Sequence, residues 1–350
     1  MSSNRIYSID WLKGLMILII VIHHSYFFPK FRGYLAVDVF FFISGYFLMS
    51  SFLRHPSTAV LYTWNRIKQM ATPFFISLIL VCTLTNRGFP GIQDFDSLIN
   101  LSGKLFSSIS FGEEFAGIIT RADFLLGCWF LSVLIIGSFI LYAMLEYNER
   151  LATLVLFPAI VLFGYNAIFN HTDCLNSFER VGLLGLPLVR GLSGMAAGAL
   201  ICQIYTRYKA GVDKYATFIN VLGIVGFILF IALMFTTEPF DKYILFTIPW
   251  FLLAGVIDRS WMNAALSRIK GGLFGRLGRY TLYVYCIHGI GQMLVFWIND
   301  HLLHHALSDA SLFLACLVAV AIATVVLYYL CLFVTRFINS RENQPDHTRL

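Results

Sequence analysis

Residues 9–28 of the chain read IDWLKGLMILIIVIHHSYFF. Its formally charged residues, Asp10 and Lys13, stand near its beginning, and apolar residues fill the stretch up to the histidines His23 and His24. Twenty residues of helix are about 30 Å long, which matches the hydrocarbon core of a bilayer. The stretch is too long for the apolar part of a secretory signal peptide and lacks a small-residue cleavage site. It is therefore predicted to be a retained first transmembrane helix.

The composition of the whole chain agrees with this prediction. Of its 350 residues, 58% are hydrophobic and only 13% are charged, whereas about a quarter of the residues of a soluble domain are charged. A soluble fold cannot hide so much apolar surface, so lipid must solvate much of it. We predict an all-α integral membrane protein, a bundle of about ten transmembrane helices. The expected spans are 9–28, 37–53, 72–85, 124–145, 151–169, 181–205, 218–236, 243–257, 277–298 and 312–338.

The distribution of charge predicts the topology. In a ten-span chain, most of the 25 basic residues fall on the side that also holds both termini. Cytoplasmic loops are enriched in Lys and Arg, so the N and C termini are expected in the cytoplasm. The net charge of +6 then reflects topology, and no nucleic-acid partner is expected. Residues 1–340 should form one transmembrane domain, followed by a short cytoplasmic tail at 341–350. The long outer connection 86–123 either shapes a site or is a plain connector.

Lys13 and His24 are eleven residues apart on the first span. At 100° and 1.5 Å per residue, they share one helix face and lie about 16 Å apart along the axis. Lys13 can hold an anionic group such as a cofactor phosphate, and His24 can act as a general base or accept an acyl group. The alternative is structural, with Lys13 as an interfacial anchor and His24 as an interhelical hydrogen-bonding residue.

Asp38 begins the second span, in the segment VDVFFFISGY at residues 37–46. It lies at the height at which the first helix ends, so it can orient the imidazole of His24. It can also be the N-cap of the second helix, and the two roles are compatible. Gly45 on this span, and Gly194 with Gly198 on a later one, are expected to allow close helix packing.

Further basic residues are candidates for anion binding. Arg66 and Lys68 precede the third span and, together with Lys13, predict a phosphate-binding patch; they can equally be ordinary topology-setting charges. Arg190 lies in the predicted span 181–205, where an arginine faces the bundle interior and is a candidate for substrate binding. If the helix begins at Pro187, Arg190 is merely interfacial.

Three other side chains are candidates for substrate binding. Tyr285 and His288 are three residues apart on one face of the ninth span, which places a second histidine at mid-depth, either in the cavity of His24 or in an interhelical hydrogen bond. Trp129 begins the fourth span near the outer surface, where it either contacts substrate or belongs to the interfacial aromatic belt.

The motifs of several enzyme classes are absent from the sequence. The chain has no GxSxG, GxxxxGK[ST], GxGxxG or HExxH motif, which argues against common hydrolases, nucleotide hydrolysis and zinc proteases. Its seven cysteines are scattered without CxxC or Cys/His metal spacing, so no metal is expected.

Five segments, in order along most of the chain, resemble the membrane acyltransferase 3 family, the multispan acyltransferases of bacterial envelopes. The matching segments are Lys13-x10-His24, VDVFFFISGY at 37–46, the basic stretch 62–73 with Arg66, GCWFL at 127–131 and LGRYTLYVYCIH at 277–288. Two positions depart from the family pattern. Lysine stands at position 13, where arginine is commoner, and Gln69 replaces the second arginine of the usual Arg-x-x-Arg, unless Lys68 substitutes for it.

The resemblance implies an O-acyltransferase in the inner membrane, of the stand-alone transmembrane type. Acyl-CoA, usually acetyl-CoA, would be the donor substrate, with Lys13, Arg66 and Lys68 engaging coenzyme A. Lys13 and His24 would carry the reaction, and the acceptor would be a hydroxyl of an envelope glycan or lipid-linked sugar. From its position, Asp38 or another polar neighbour is expected to orient His24 in catalysis. Two rivals stay open: an exporter of glycan or lipid, and a non-catalytic membrane assembly partner. The sequence leaves open whether the chain forms oligomers.

Overall fold

The computed structural model describes residues 5–25, 27–28, 30–85, 128–181, 184–238 and 240–342. The described chain is almost entirely helical, so the predicted all-α membrane fold is confirmed. A small antiparallel ribbon, in which β1 (Arg180–Val181) pairs with β2 (Leu184–Gly185), precedes one of the long helices. The connection 86–123, predicted to be on the outer side, and most of the predicted tail lie outside the described residues.

The helices are numbered here in chain order, and short turns join most of them. They are α1 (Tyr7–His24), α2 (Ala36–Arg54), α3 (Ala59–Thr85), α4 (Cys128–Tyr147), α5 (Glu149–His171), α6 (Leu186–Arg207), α7 (Lys209–Lys214), α8 (Ala216–Leu233), α9 (Ile244–Val256), α10 (Trp261–Arg268), α11 (Gly272–Leu277), α12 (Thr281–His301) and α13 (Asp309–Glu342).

The number of clear spans is slightly lower than expected. Among the described residues, eight helices are long and apolar enough to cross a membrane, or nine if α9 and α10, bent by 54° with respect to each other, count as one span. The predicted third span, 72–85, is only the second half of the 27-residue helix α3. The first half contains Asn65, Arg66, Lys68 and Gln69, so hydropathy alone did not reveal that the helix begins at Ala59.

Helices α2 and α6 form the centre of the bundle. In the most apolar stretch of each helix, 72% of the residues are buried within the protein for α2 and 67% for α6. The corresponding share for the peripheral helix α13 is 22%. The two central helices cross closely, because Gly45 lies against the carbonyl of Met195 and Gly198 lies against the carbonyl of Phe42. The predicted close packing at these glycines is therefore confirmed.

A second reciprocal glycine contact holds the start of α1. A side chain at Gly14 would meet the carbonyl of Phe274 in α11, and a side chain at Gly278 would meet the carbonyl of Asp10. The segment around Gly278 therefore fixes the end of α1 that contains Lys13. We call this end of the bundle the Lys13 end and the opposite one the His24 end.

A buried ionic network ties the elements together at the His24 end; it comprises Arg32, Tyr34, Asp38, Arg190 and Asp241. Arg190 donates from Nε to Oδ1 of Asp38 at 3.1 Å and from Nη2 to Oδ2 at 2.6 Å. Asp241 accepts from Nη1 of Arg32 and from the hydroxyl of Tyr34, both at 2.9 Å. Both carboxylates are completely buried, so each charge depends on its partner within the protein.

The first testable prediction concerns the crossing of α2 and α6. Gly45→Ala and Gly198→Ala each place a methyl group against a main-chain carbonyl of the other helix, which can yield only if the helices separate. Each is expected to lower the free energy of unfolding by about 1–3 kcal/mol, measured as a fall in melting temperature in detergent.

The matched control for these variants is Gly211→Ala in α7. Nothing lies within 4 Å of a methyl group at this position, and alanine has the higher helix propensity. This variant should be as stable as the wild type or slightly more so. Equal losses of stability at positions 45, 198 and 211 would contradict the close crossing.

The second prediction concerns the Asp38–Arg190 ion pair. Asp38→Leu or Arg190→Met alone leaves a completely buried charge without its partner and should cost about 3–5 kcal/mol of stability. The double variant removes both charges, so its loss should be smaller than the sum of the two single losses. A double-mutant cycle on melting temperatures measures this difference. Additive losses would contradict mutual neutralisation.

Candidate functional site

Helix α1 is uninterrupted from Tyr7 to His24, so the predicted alignment of Lys13 and His24 on one face is confirmed. Their Cα atoms are about 16 Å apart along the helix axis. Both side chains are partly exposed, whereas Ile17 and Ile20 on the stripe between them are 0% and 1% exposed. The site therefore has two separate polar centres, joined by a packed apolar stretch of helix.

The first centre is a pair of histidines. Nδ1 of His24 lies 3.2 Å from Nε2 of His288 in α12, and the two ring centroids are 5.0 Å apart. The other ring nitrogen of the fully buried His288, Nδ1, donates to the carbonyl of Tyr285 at 2.8 Å. One turn further along α12, Gln292 donates to the carbonyl of Val21 at 2.8 Å. Two alternatives were predicted for His288, a place in the cavity of His24 or an interhelical hydrogen bond, and the structure shows an interhelical contact with His24 itself.

The structure corrects the predicted partner of His24. Asp38 was expected to orient this imidazole, but both of its carboxylate oxygens accept from Arg190. The predicted N-cap role is also wrong, since Leu35 is in the N-cap position and Asp38 lies inside the first turn of α2. A buried carboxylate is stabilised most by a full charge in bidentate geometry, and Arg190 supplies both.

Arg190 faces the bundle interior, one of its two predicted positions, and its predicted role in substrate binding stays a prediction. Helix α6 begins at Leu186, with Pro187 in its first turn, yet the Arg190 side chain is only 3% exposed. Besides Asp38, its guanidinium donates to the carbonyls of Leu175 and Tyr34, both at 2.9 Å. Arg190 is close to the start of α6, where it would lie at the membrane interface. The segments that contain Leu175 and Tyr34 cover it and bury it instead. These contacts account for the buried position of the Arg190 guanidinium.

The second centre surrounds the Lys13 ammonium group. Lys13 Nζ lies 5.1 Å from the centroid of the Phe47 ring, and Asp10 and Arg66 are its electrostatic neighbours. Asp10 is itself paired with Arg5 at 2.6 Å. No carboxylate of the described chain forms an ion pair with Lys13. This cation therefore remains able to bind an anion.

Only one of the two predicted basic neighbours faces Lys13. Arg66 is partly buried, and its Nε and Nη2 donate to the hydroxyl of Tyr62 at 3.3 and 3.0 Å. Tyr62 in turn stacks on Tyr142, with ring centroids 4.4 Å apart, which fixes the position of Arg66. Lys68 is exposed and lies over the ring of Trp64 at 5.5 Å. The predicted patch is therefore reduced to Lys13 and Arg66, because residues two apart on a helix point in nearly opposite directions.

Trp129 and Tyr285 lie beside the network and the histidine pair. The Trp129 ring is 5.8 Å from Cζ of Arg190 and meets Phe178 edge to face at 5.6 Å. The ring of Tyr285 is 5.8 Å from that of His288. Their predicted contacts with substrate stay predictions.

Sequence reasoning missed two polar residues that pack close to these centres. Asp241 was simply an acidic residue at the edge of a predicted span, and no local pattern marks it as the partner of Arg32. Gln292 is different, because it lies four residues after His288 and thus on the same helix face. A polar side chain at that spacing within a span is a signal that could have identified it.

Comparison with known proteins gives one match. The acyltransferase 3 family model, described as an acyltransferase domain, matches residues 6–331. No curated protein and no solved structure showed a significant match. The matched range includes α1 through most of α13 and contains both polar centres. The chain therefore belongs to the acyltransferase 3 family and is a multi-pass membrane acyltransferase.

Proposed function

We propose that the protein is an O-acyltransferase of the inner membrane that moves an acyl group, normally acetyl, from cytoplasmic acyl-CoA to a hydroxyl of an envelope glycan or lipid-linked sugar. The observation that carries this proposal is the arrangement on α1, where a cation without an ion-pair partner in the described chain lies at one end and a histidine at the other. Such a helix can engage a donor on one side of the membrane and an acceptor near the other.

The donor is proposed to bind at the Lys13 end. Coenzyme A has several phosphate groups, and Lys13 and Arg66 offer two neighbouring cations in a partly buried setting. Arg66 retains N–H groups beyond those that donate to Tyr62, so it can bind a phosphate without leaving its stack. To bring the thioester to His24, the pantetheine arm must pass Ile17 and Ile20, so donor binding must displace the side chains that pack on them.

The reaction is proposed to take place at His24. The imidazole removes the proton of the acceptor hydroxyl, and the oxygen attacks the thioester carbonyl carbon as its C–S bond breaks. The coenzyme A thiolate leaves and takes the proton from His24, which restores the neutral imidazole. The products are an ester of the acceptor and free coenzyme A. A route through an acyl-histidine has the same overall balance and the same requirement for His24.

The exporter alternative has less support from the buried charges. Ionisable residues within a bundle can mark a transport path, but Asp38 and Arg190 neutralise each other, as do Asp241 and Arg32. These four residues therefore suit a structural role better than a path for a solute. Export without acyl transfer is the outcome to which a negative activity assay would point.

The third prediction tests the base. His24→Ala should lower kcat for acceptor-dependent release of coenzyme A by roughly 10²- to 10⁴-fold, the usual contribution of a general base. Binding of acetyl-CoA, which depends on the Lys13 end, should be unchanged. Purified protein in nanodiscs, assayed by thiol release and by transfer of labelled acetyl to glycan, gives both quantities. Full transfer by His24→Ala would contradict the proposal.

The fourth prediction tests the donor site. Lys13→Ala and Arg66→Ala should each raise the KM for acetyl-CoA roughly 10- to 100-fold, because a charge-assisted hydrogen bond contributes about 1.5–3 kcal/mol. Lys13→Arg should retain most of the affinity. Lys214→Ala, which removes an exposed cation of α7, is the matched control and should have no effect. An unchanged KM in Lys13→Ala and Arg66→Ala would show that the donor binds elsewhere.

A further inference from the structure

Three groups in series lead from the main chain of α12 to the reacting histidine. The carbonyl of Tyr285 contacts Nδ1 of His288 at 2.8 Å, and Nε2 of His288 contacts Nδ1 of His24 at 3.2 Å. The order of donors and acceptors along this series determines which nitrogen of His24 has a free lone pair.

The main-chain carbonyl fixes the first member of the series. A carbonyl oxygen can only accept, so the proton between it and His288 must reside on Nδ1 of His288. A neutral imidazole has one N–H donor and one acceptor nitrogen. The Nε2 atom of His288 is therefore an acceptor, and it faces His24.

The second member of the series follows from the first. If Nδ1 of His24 were unprotonated, two lone pairs would face each other at 3.2 Å, or His288 would be an imidazolium. His288 is completely buried, and no carboxylate among the described residues contacts it, so an imidazolium there is costly. Nδ1 of His24 is thus the donor, and Nε2 of His24 is its acceptor nitrogen.

We propose that His288 is a positioning residue for the acyl transfer reaction, which holds His24 in the Nδ1–H tautomer so that Nε2 is the base. This inference rests on the proposed function of His24 given above. Nε2 of His24 takes the acceptor hydroxyl proton and returns it to the leaving thiolate. Throughout, Nδ1–H of His24 stays bonded to Nε2 of His288, which stabilises the transient imidazolium.

The contact with the Tyr285 carbonyl determines which imidazole donates and which accepts in the hydrogen bond between His24 and His288. Because Nδ1 of His288 already donates to the carbonyl, His288 has no second free donor with which to reverse the bond to His24. A carboxylate in this place would also accept from His24, but it would add an uncompensated charge to a completely buried site. A neutral acceptor avoids that cost.

The test compares three variants at the α1–α12 contact. His288→Leu removes the acceptor, so kcat should fall roughly 10²- to 10⁴-fold, with the KM for acetyl-CoA unchanged. His288→Gln can offer its amide oxygen to Nδ1–H of His24 and should be at least about tenfold faster than His288→Leu. Gln292→Leu is the matched control, because it removes the hydrogen bond to Val21 in the same interface but leaves the imidazole series intact.

The tautomer itself provides a readout that does not depend on activity. Ring nitrogen-15 shifts of labelled histidine, assigned to His24 by comparison with His24→Ala, report which nitrogen is protonated. The expected result is Nδ1–H in the wild type and in Gln292→Leu, and loss of this preference in His288→Leu. An Nε2–H tautomer in the wild type, or unchanged tautomer and kcat in His288→Leu, would overturn the positioning role alone. Wild-type protein with Nδ1–H but without acyl transfer would overturn the proposed function, and with it the role of His288.

Discussion

A polar group at membrane depth must find its partner inside the protein, because lipid offers neither hydrogen bonds nor counter-ions. Two pairs of buried charges in the bundle meet this constraint. Asp38 with Arg190, and Asp241 with Arg32, are charges that neutralise each other and tie α2, α6 and the segment before α9 together. Among the described residues, neither Lys13 nor the two histidines has a carboxylate partner; His24 and His288 contact each other, a main-chain carbonyl and the rings of His23 and Tyr285. The residues left without a neutralising partner are those for which we propose chemistry.

The residues of the family-like segments differ in what they do in the structure. Some pack the central helices together, and others hold α1 in place. In the segment 37–46, Asp38 forms an ion pair and Gly45 lies against the main chain of α6, so both serve the packing of the two central helices. In the segment 277–288, Gly278 lies against the main chain of α1 and His288 contacts His24. Both ends of the late segment therefore position α1, one near Lys13 and the other at His24.

The sequence alone predicts those features that depend on the local periodicity of a helix, namely its position in the chain and which residues share a face. Hydropathy located nearly all the long helices, and the spacing of Lys13 and His24 predicted their shared face because α1 is a single regular helix. The same periodicity, applied to Arg66 and Lys68, would have separated them. The partner of Asp38 was beyond such reasoning, since His24 and Arg190 are both plausible by chemistry and only the crossing of α2 with α6 decides between them. The burial of Arg190 depends in the same way on Leu175 and Tyr34, which belong to other elements.

The central claim is that an acyl group supplied at the Lys13 end reaches an acceptor at the His24 end. The test uses proteoliposomes with acceptor glycan trapped inside. Vesicles in which an N-terminal tag on the protein faces outward are selected, and labelled acetyl-CoA is added outside. The account predicts labelled glycan inside these vesicles and none in vesicles of His24→Ala protein. Labelling only when donor and acceptor are on the same side of the membrane would contradict it.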